Sequence, residues 1–228
     1  MKQSKKKDNR KKLITATNPN SIISEEFISV KTNIEFLSIE SEKKVLMVTS
    51  AEADAGKSLI ASNLAVVFAQ QNKKTLLIDL DLRKPVQHHI FGFWKEAGVT
   101  EMLVNGAFCS EEIIKKTEVE RLSLLPAGTI PPNPTVILST QQLADIIKKY
   151  SQEYDQIIID APPVLVASDA QLITRLTDGI ILVIKSGSSE YKKVMKAMEL
   201  LNRTGSKIIG SILNRPSVEA GKLYYTYK

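Results

Sequence analysis

Apolar residues in this chain arrive in short unbroken runs, and between the runs they recur every three or four positions. The runs at 44–50 (KVLMVTS), 75–82 (TLLIDLDL), 122–128 (LSLLPAG), 156–163 (QIIIDAPP), 179–187 (GIILVIKSG) and 207–214 (KIIGSILN) have strand length. Phe27, Val30, Ile34 and Leu37 follow helical spacing after Ser24, which fits an N-cap. Ile60, Leu64, Val67 and Phe68 mark one side of a helix over 58–71. Further helices are expected at 139–154, 168–176 and 190–203, with short ones at 99–106 and 110–116, and a stiff IPPNP loop at 130–134. Strands this uniformly apolar are covered on both faces, which implies a parallel sheet between helix layers. The expectation is one α/β domain over 23–214, a doubly wound, mainly parallel sheet without internal repeat or linker.

Composition changes this picture little in the body and a good deal at the start. Hydrophobic content of 43% and charged content of 25% are ordinary for a soluble globular protein. No apolar run reaches the ~18–20 residues of a membrane span, and no signal-peptide pattern opens the chain. The single cysteine, Cys109, rules out an internal disulfide framework and fits a reducing cytoplasm. The net charge of +6 resides in residues 1–12, which hold seven Lys/Arg and one Asp; the remaining 24 basic and 24 acidic side chains cancel. Residues 1–22 therefore read as a basic flexible tail, either simply solvated or attracted to anionic lipid or an acidic partner. A charge-balanced body, and a basic run without interleaved aromatics, argue against nucleic acid as a partner.

The chemistry gathers at strand ends. SAEADAGKS follows a strand and opens a helix, and its AGKS completes a Walker A pattern whose loop amides receive phosphate. Ala53, Asp54, Ala55, Gly56, Lys57, Ser58 and Leu59 are the expected nucleotide-binding positions, although Ala51 stands where the strict pattern has glycine. The bland reading of AGKS is a helix N-terminus with an incidental lysine. Asp79 and Asp81 lie at the end of one strand and Asp160 at the end of another, where ligands bind in open α/β sheets. One strand-end aspartate is usually a turn residue. Three beside one phosphate loop suit Mg²⁺, a hard cation that takes oxygen ligands, so Ser58 plus carboxylates would serve it.

With AGKS, LLIDLDLR, IIIDAPP, PAGTIPPNP and a terminal tyrosine cluster, the chain from about Ser24 onward resembles the bacterial tyrosine kinases of capsule and exopolysaccharide synthesis. Within that family it is similar to the form in which the kinase is separate from a membrane-spanning activator. The resemblance implies a P-loop NTPase fold of the Walker A/A′/B, partition-ATPase-like type, with ATP and Mg²⁺ as cofactors. It implies catalytic roles for Lys57, Asp79, Asp81 and Arg83: Lys57 on phosphate, and Asp79 orienting or deprotonating the attacking tyrosine. Ser58, Asp81 and Asp160 would hold the metal, and Asn214 would approach the base. It further implies self-association, in some members as a ring, a cognate tyrosine phosphatase, and a cytoplasmic position at the inner face of the membrane through the activator.

The tail GKLYYTYK carries three of the six tyrosines, Tyr224, Tyr225 and Tyr227. Either they close the sheet as an aromatic edge strand or they are phosphoacceptors on a flexible tail over 215–228. About ten residues separate Tyr224 from the last strand, a reach of roughly 30 Å when extended. A tyrosine hydroxyl, with pKa about 10, needs a base to attack phosphorus, and the aspartates supply one. Some positions depart from the family pattern. Asp54 stands where many relatives have glycine, Val136 where they often have an acid, and Glu25, Ile28 and Lys31 occupy the Glu-x-x-Arg-x-x-Arg contact motif. Ile28 cannot make an arginine's ion pairs and Lys31 lacks the bidentate fork. Two other functions compete. A partition or septum-site switch ATPase shares the fold, but Glu52 stands where that group has its signature lysine. A nucleotide-binding regulator without phosphotransfer is the non-enzyme reading.

Overall fold

The computed structural model describes residues 13–38, 41–94, 97–104 and 112–215. Two helices open it, α1 (Ile14–Thr17) and α2 (Ile22–Ser38), followed by β1 (Val45–Ser50) and α3 (Lys57–Gln70). Next come β2 (Thr75–Asp79), α4 (Gln87–Ile90), α5 (Val99–Val104), β3 (Lys115–Lys116) and β4 (Leu122–Leu125). The rest is α6 (Pro134–Leu138), α7 (Gln141–Glu153), β5 (Gln156–Asp160), α8 (Asp169–Thr174), β6 (Gly179–Lys185), α9 (Tyr191–Asn202) and β7 (Ile208–Asn214).

Seven strands form one sheet in the order β3-β4-β2-β5-β1-β6-β7, parallel except for the β3–β4 pair. Side chains alternate between its faces, as the pleat requires. Met47, Ile78, Ile157, Ile159 and Leu182 pack with α7, α8 and α9 in one core. Leu46, Val48, Leu77, Ile158 and Ile181 pack with α2 and α3 in the other. Two helix layers on one parallel sheet is the doubly wound arrangement expected from the apolar runs.

Several local expectations are corrected. The folded body reaches back at least to Leu13, ahead of the boundary expected at 23: Leu13 is buried, and Asn63 Oδ1 of α3 accepts from Thr15 N (3.1 Å) and Thr15 Oγ1 (2.8 Å). Ser24 is not an N-cap, because α2 starts at Ile22; its hydroxyl is buried and donates to the Asn18 carbonyl at 2.7 Å. Leu37 lies outward. Buried residues encircle α3, so it is an interior helix, not one with a single apolar side. The helix expected at 110–116 does not form over the described residues 112–116, since Lys115 and Lys116 pair antiparallel with Leu124 and Ser123. β2 stops at Asp79, which places Asp81 and Arg83 in the following loop. β7 is half exposed, and among the described residues it has a neighbouring strand on one side only.

The readings that fall on residues 1–12, on Cys109 and on Tyr224, Tyr225 and Tyr227 lie outside the described residues. No described helix is long and apolar enough to cross a membrane.

Candidate active site

β2, β5 and β1 are adjacent, so their carboxyl ends bring the two aspartate segments and the phosphate loop side by side. The register makes Asp79 and Asp160 direct lateral neighbours. From Ser50 the chain enters the loop, with the Ser50 hydroxyl donating to the Glu52 carbonyl at 2.6 Å. Asp54 (φ 62°) and Gly56 (φ 89°) both adopt left-handed backbone before α3 begins at Lys57. Gly56 is needed twice: for that φ, and because a Cβ there would lie 2.2 Å from Asn214 Nδ2. Asn214, at the end of β7, donates to the Ala55 carbonyl at 2.8 Å and so rests against the loop. Ala53 and Asp54 are exposed, Ser58 and Leu59 partly buried, and Ala55 buried.

The Lys57 ammonium is the centre of the site. It lies 2.8 Å from Asp81 Oδ2, 3.3 Å from Asp160 Oδ1 and 3.1 Å from Ser58 Oγ. Burial alone would lower the Lys57 pKa, but the Asp160 and Asp81 carboxylates outweigh it and raise the value. The three residues expected to hold a metal therefore converge one oxygen each on a cation, the lysine's own.

Asp79 is wholly buried. Its Oδ1 accepts from Asp81 N (3.2 Å), and its Oδ2 from Val86 N (3.1 Å) and Gln87 N (3.0 Å). Burial, with the Asp160 charge beside it, raises its pKa well above the ordinary carboxylate range. It thus holds the loop over 80–87 in shape, and Asp81 Oδ1 adds an acceptor for Lys84 N at 3.1 Å.

Arg83 turns away from that cluster. Its Nε donates to Asp169 Oδ2 at 2.6 Å and its Nη2 to Asp169 Oδ1 at 3.3 Å, while Thr135 Oγ1 donates to Asp169 Oδ1 at 2.8 Å. Arg83, half exposed, thereby ties the β2 loop to the starts of α6 and α8. Glu52, on the phosphate loop, pairs with Lys193 of α9 at 2.8 Å, and Lys193 also pairs with Glu190 at 2.7 Å.

Sequence reasoning missed Gln87, Asp169 and Lys193. Gln87 is buried and donates to Asp160 Oδ2 at 2.8 Å, yet no motif marks it. Asp169 has a sequence signal, an acid opening a helix, but that reads as helix chemistry until Arg83 is placed beside it. The contact-motif positions also differ from expectation. Glu25 is exposed, but Ile28 packs partly into the core. Lys31 is buried, bonded to Glu35 at 2.5 Å and to Gln71.

Residues 43–208 match the family described as an AAA domain. The chain is 38% identical to the putative tyrosine-protein kinase CapB of Staphylococcus aureus, covering 98% of this chain and 97% of CapB. The crystal structure of the chimerical protein CapA2B2 superposes with a TM-score of 0.87 at 38% identity, with 90% of each chain covered. The septum site-determining protein MinD of Pyrococcus horikoshii, solved with Mg-ADP, gives a TM-score of 0.66 at 25% identity over 81% of this chain and 78% of MinD.

Proposed function

The chain belongs to the bacterial tyrosine-protein kinases, and from that membership we propose that it transfers the γ-phosphate of ATP to the tyrosines of its own C-terminal segment. The observation that carries the reading is the convergence of Lys57, Ser58, Asp81 and Asp160, within 3.3 Å of the Lys57 ammonium, at the mouth of the phosphate loop.

The donor set suits Mg²⁺, which binds through one or two carboxylates plus a hydroxyl and substrate phosphates. Ser58, Asp81 and Asp160 would hold it, and three of their oxygens already face one cation. When bound, the ion neutralises charge building on the transferring phosphoryl group. Lys57 would then have phosphate oxygens in place of its carboxylate partners, which would keep its charge compensated. Loop amides from Ala53 to Leu59 would receive the phosphates, and Asn214 braces the loop through the Ala55 carbonyl. Asp79 orients or deprotonates the attacking tyrosine. It is wholly buried, and because both oxygens already accept backbone N–H groups, the hydroxyl would have to share one of them. Arg83 fixes the loop that presents Asp81.

The further roles are proposed on the same membership. The protein regulates capsular or extracellular polysaccharide synthesis at the inner face of the membrane. It does so with a membrane-spanning activator, a cognate tyrosine phosphatase and copies of itself. The basic tail read over 1–22, of which Leu13 onward packs on the body, would lie ahead of the kinase domain, and 215–228 would be the acceptor tail.

Incubation with Mg-ATP, intact-mass measurement and peptide mapping test the central reading. Phosphate on Tyr224, Tyr225 or Tyr227 is the expected result. Release of ADP and inorganic phosphate without phosphotyrosine would mark a switch ATPase, and nucleotide binding with neither product a regulator.

A further inference from the structure

Gln87 touches all three motifs of the site. It is fully buried at the first residue of α4, eight residues beyond Asp79. Its backbone N–H donates to Asp79 Oδ2 at 3.0 Å. Its side-chain Nε2 donates to the Ser58 carbonyl at 3.0 Å and to Asp160 Oδ2 at 2.8 Å. Its Oε1 accepts from Ser62 Oγ at 2.6 Å.

The chemistry of these partners admits one orientation of the amide. Two acceptors face the nitrogen and a hydroxyl faces the oxygen, so a flipped amide would set oxygen against oxygen. A buried amide without partners costs stability, and this one spends both N–H groups on the site. The result divides the Asp160 carboxylate. Oδ2 is bound to the fold through Gln87, and Oδ1 faces the Lys57 ammonium at 3.3 Å.

We propose that Gln87 is a positioning residue for the divalent cation: it holds Asp160 so that Oδ1 is the oxygen presented, and it couples Asp160 to the backbone of Ser58. This inference rests on the reading of the site as one for Mg-ATP. A hydrocarbon side chain of similar volume would leave Asp160 Oδ2 without this donor and cut its link to the Ser58 carbonyl, which keeps a bond from Ser62 Oγ at 2.7 Å. The carboxylate could then rotate, and the metal would meet ligands not held in place. Groups that orient metal ligands contribute roughly 10–100-fold to metal affinity.

The test measures binding of a fluorescent ADP analogue to the full chain, in EDTA and across a Mg²⁺ titration, for Gln87→Leu and Ser62→Ala. For Gln87→Leu, affinity in EDTA should change less than about threefold, and the Mg²⁺ concentration for half-maximal enhancement should rise about tenfold or more. Ser62→Ala removes the contact to Oε1 together with the Ser62 Oγ bond to the Ser58 carbonyl at 2.7 Å, so it should shift the Mg²⁺ requirement the same way by a few-fold, and it keeps the test alive if Gln87→Leu does not fold. An unchanged Mg²⁺ requirement in a folded Gln87→Leu protein overturns the proposal. So does an equal loss of affinity with and without Mg²⁺, which would be a general structural effect. If Gln87→Leu cannot be folded, an unshifted Ser62→Ala overturns it. Because the readout is binding, wild-type protein that makes no phosphotyrosine would sink the kinase reading without touching this measurement.

Discussion

Lys57 Nζ lies 2.8 Å from Asp81 Oδ2, with both side chains at least nine-tenths buried. Removing one partner of a buried pair leaves the other charge uncompensated, at a cost of about 3–5 kcal/mol. Lys57→Met should therefore lose activity and also lose about 3–5 kcal/mol of stability in EDTA. Mg²⁺ should restore part of that by supplying the missing positive charge. Urea unfolding with and without Mg²⁺ checks both. A variant as stable as wild type in EDTA would mean that the pair contributes nothing to the fold.

Glu101 gives a pH-dependent case. Burial pushes its pKa up, but the Thr129 hydroxyl, with the Gly98 and Thr129 backbone N–H groups, outweighs that and lowers it. A lowered folded value contributes stability above the unfolded pKa of about 4.3 and loses it as pH falls through the folded value. Glu101→Gln keeps one acceptor and turns a donor toward the other N–H, so it should cost about 1 kcal/mol at pH 7. The gap between the two proteins should narrow below pH ~4. A gap independent of pH would show that the charge plays no part.

Asp54 is exposed with φ 62°, a conformation glycine adopts freely and aspartate tolerates. Asp54→Gly should change ATP affinity by less than about tenfold, or ~1.4 kcal/mol. Isothermal titration decides, and a much larger gain would mean that the carboxylate suppresses binding and would favour the regulator reading.

Transfer between copies predicts a concentration dependence. An Asp81→Asn protein keeps Asp160 beside Lys57 and keeps its tail. Mixed with active protein carrying Tyr224→Phe, Tyr225→Phe and Tyr227→Phe, it should gain phosphate at an initial rate that rises with total protein. Tyr191 is 77% exposed and should be Phe in both proteins so that the label reports the tail. Wild-type labelling at a concentration-independent specific rate, with none on the mixed acceptor, would place transfer within one chain.

The α2 contact can be probed directly. Lys31 is engaged inside the subunit with Glu35 and Gln71, and only Glu25 of the three motif positions is exposed. Ile28→Arg should enlarge the assembly seen by light scattering if α2 contributes to it. No change at any concentration would remove this helix from the interface.

The sheet and the phosphate loop were legible because their signals are local. Unbroken apolar runs ending in Asp79 or Asp160, and AGKS opening a helix, can be read without knowing what lies beside them. Lys31 was not legible, because its partner Gln71 is forty residues away, at the C-cap of α3. The 110–116 stretch misled for a related reason: Lys115 and Lys116 become strand only by pairing with β4. Gln87 carries no signature, since a glutamine beside HHIF gains its meaning from Asp160 on a strand seventy-three residues later. At Leu13–Thr17 the dense lysines just upstream drew the boundary too late, past a short apolar segment that packs.

The joint between Thr15 and Asn63 has a mechanical side. Asn63 stands six residues from Lys57 on the same helix, about 9 Å along its axis. The first described turn of the chain is thus riveted to the middle of the interior rod whose N-terminus closes the phosphate loop. Whatever restrains the basic residues ahead of Leu13 has a short, stiff load path to the phosphate loop, with no hinge helix or strand crossing in between.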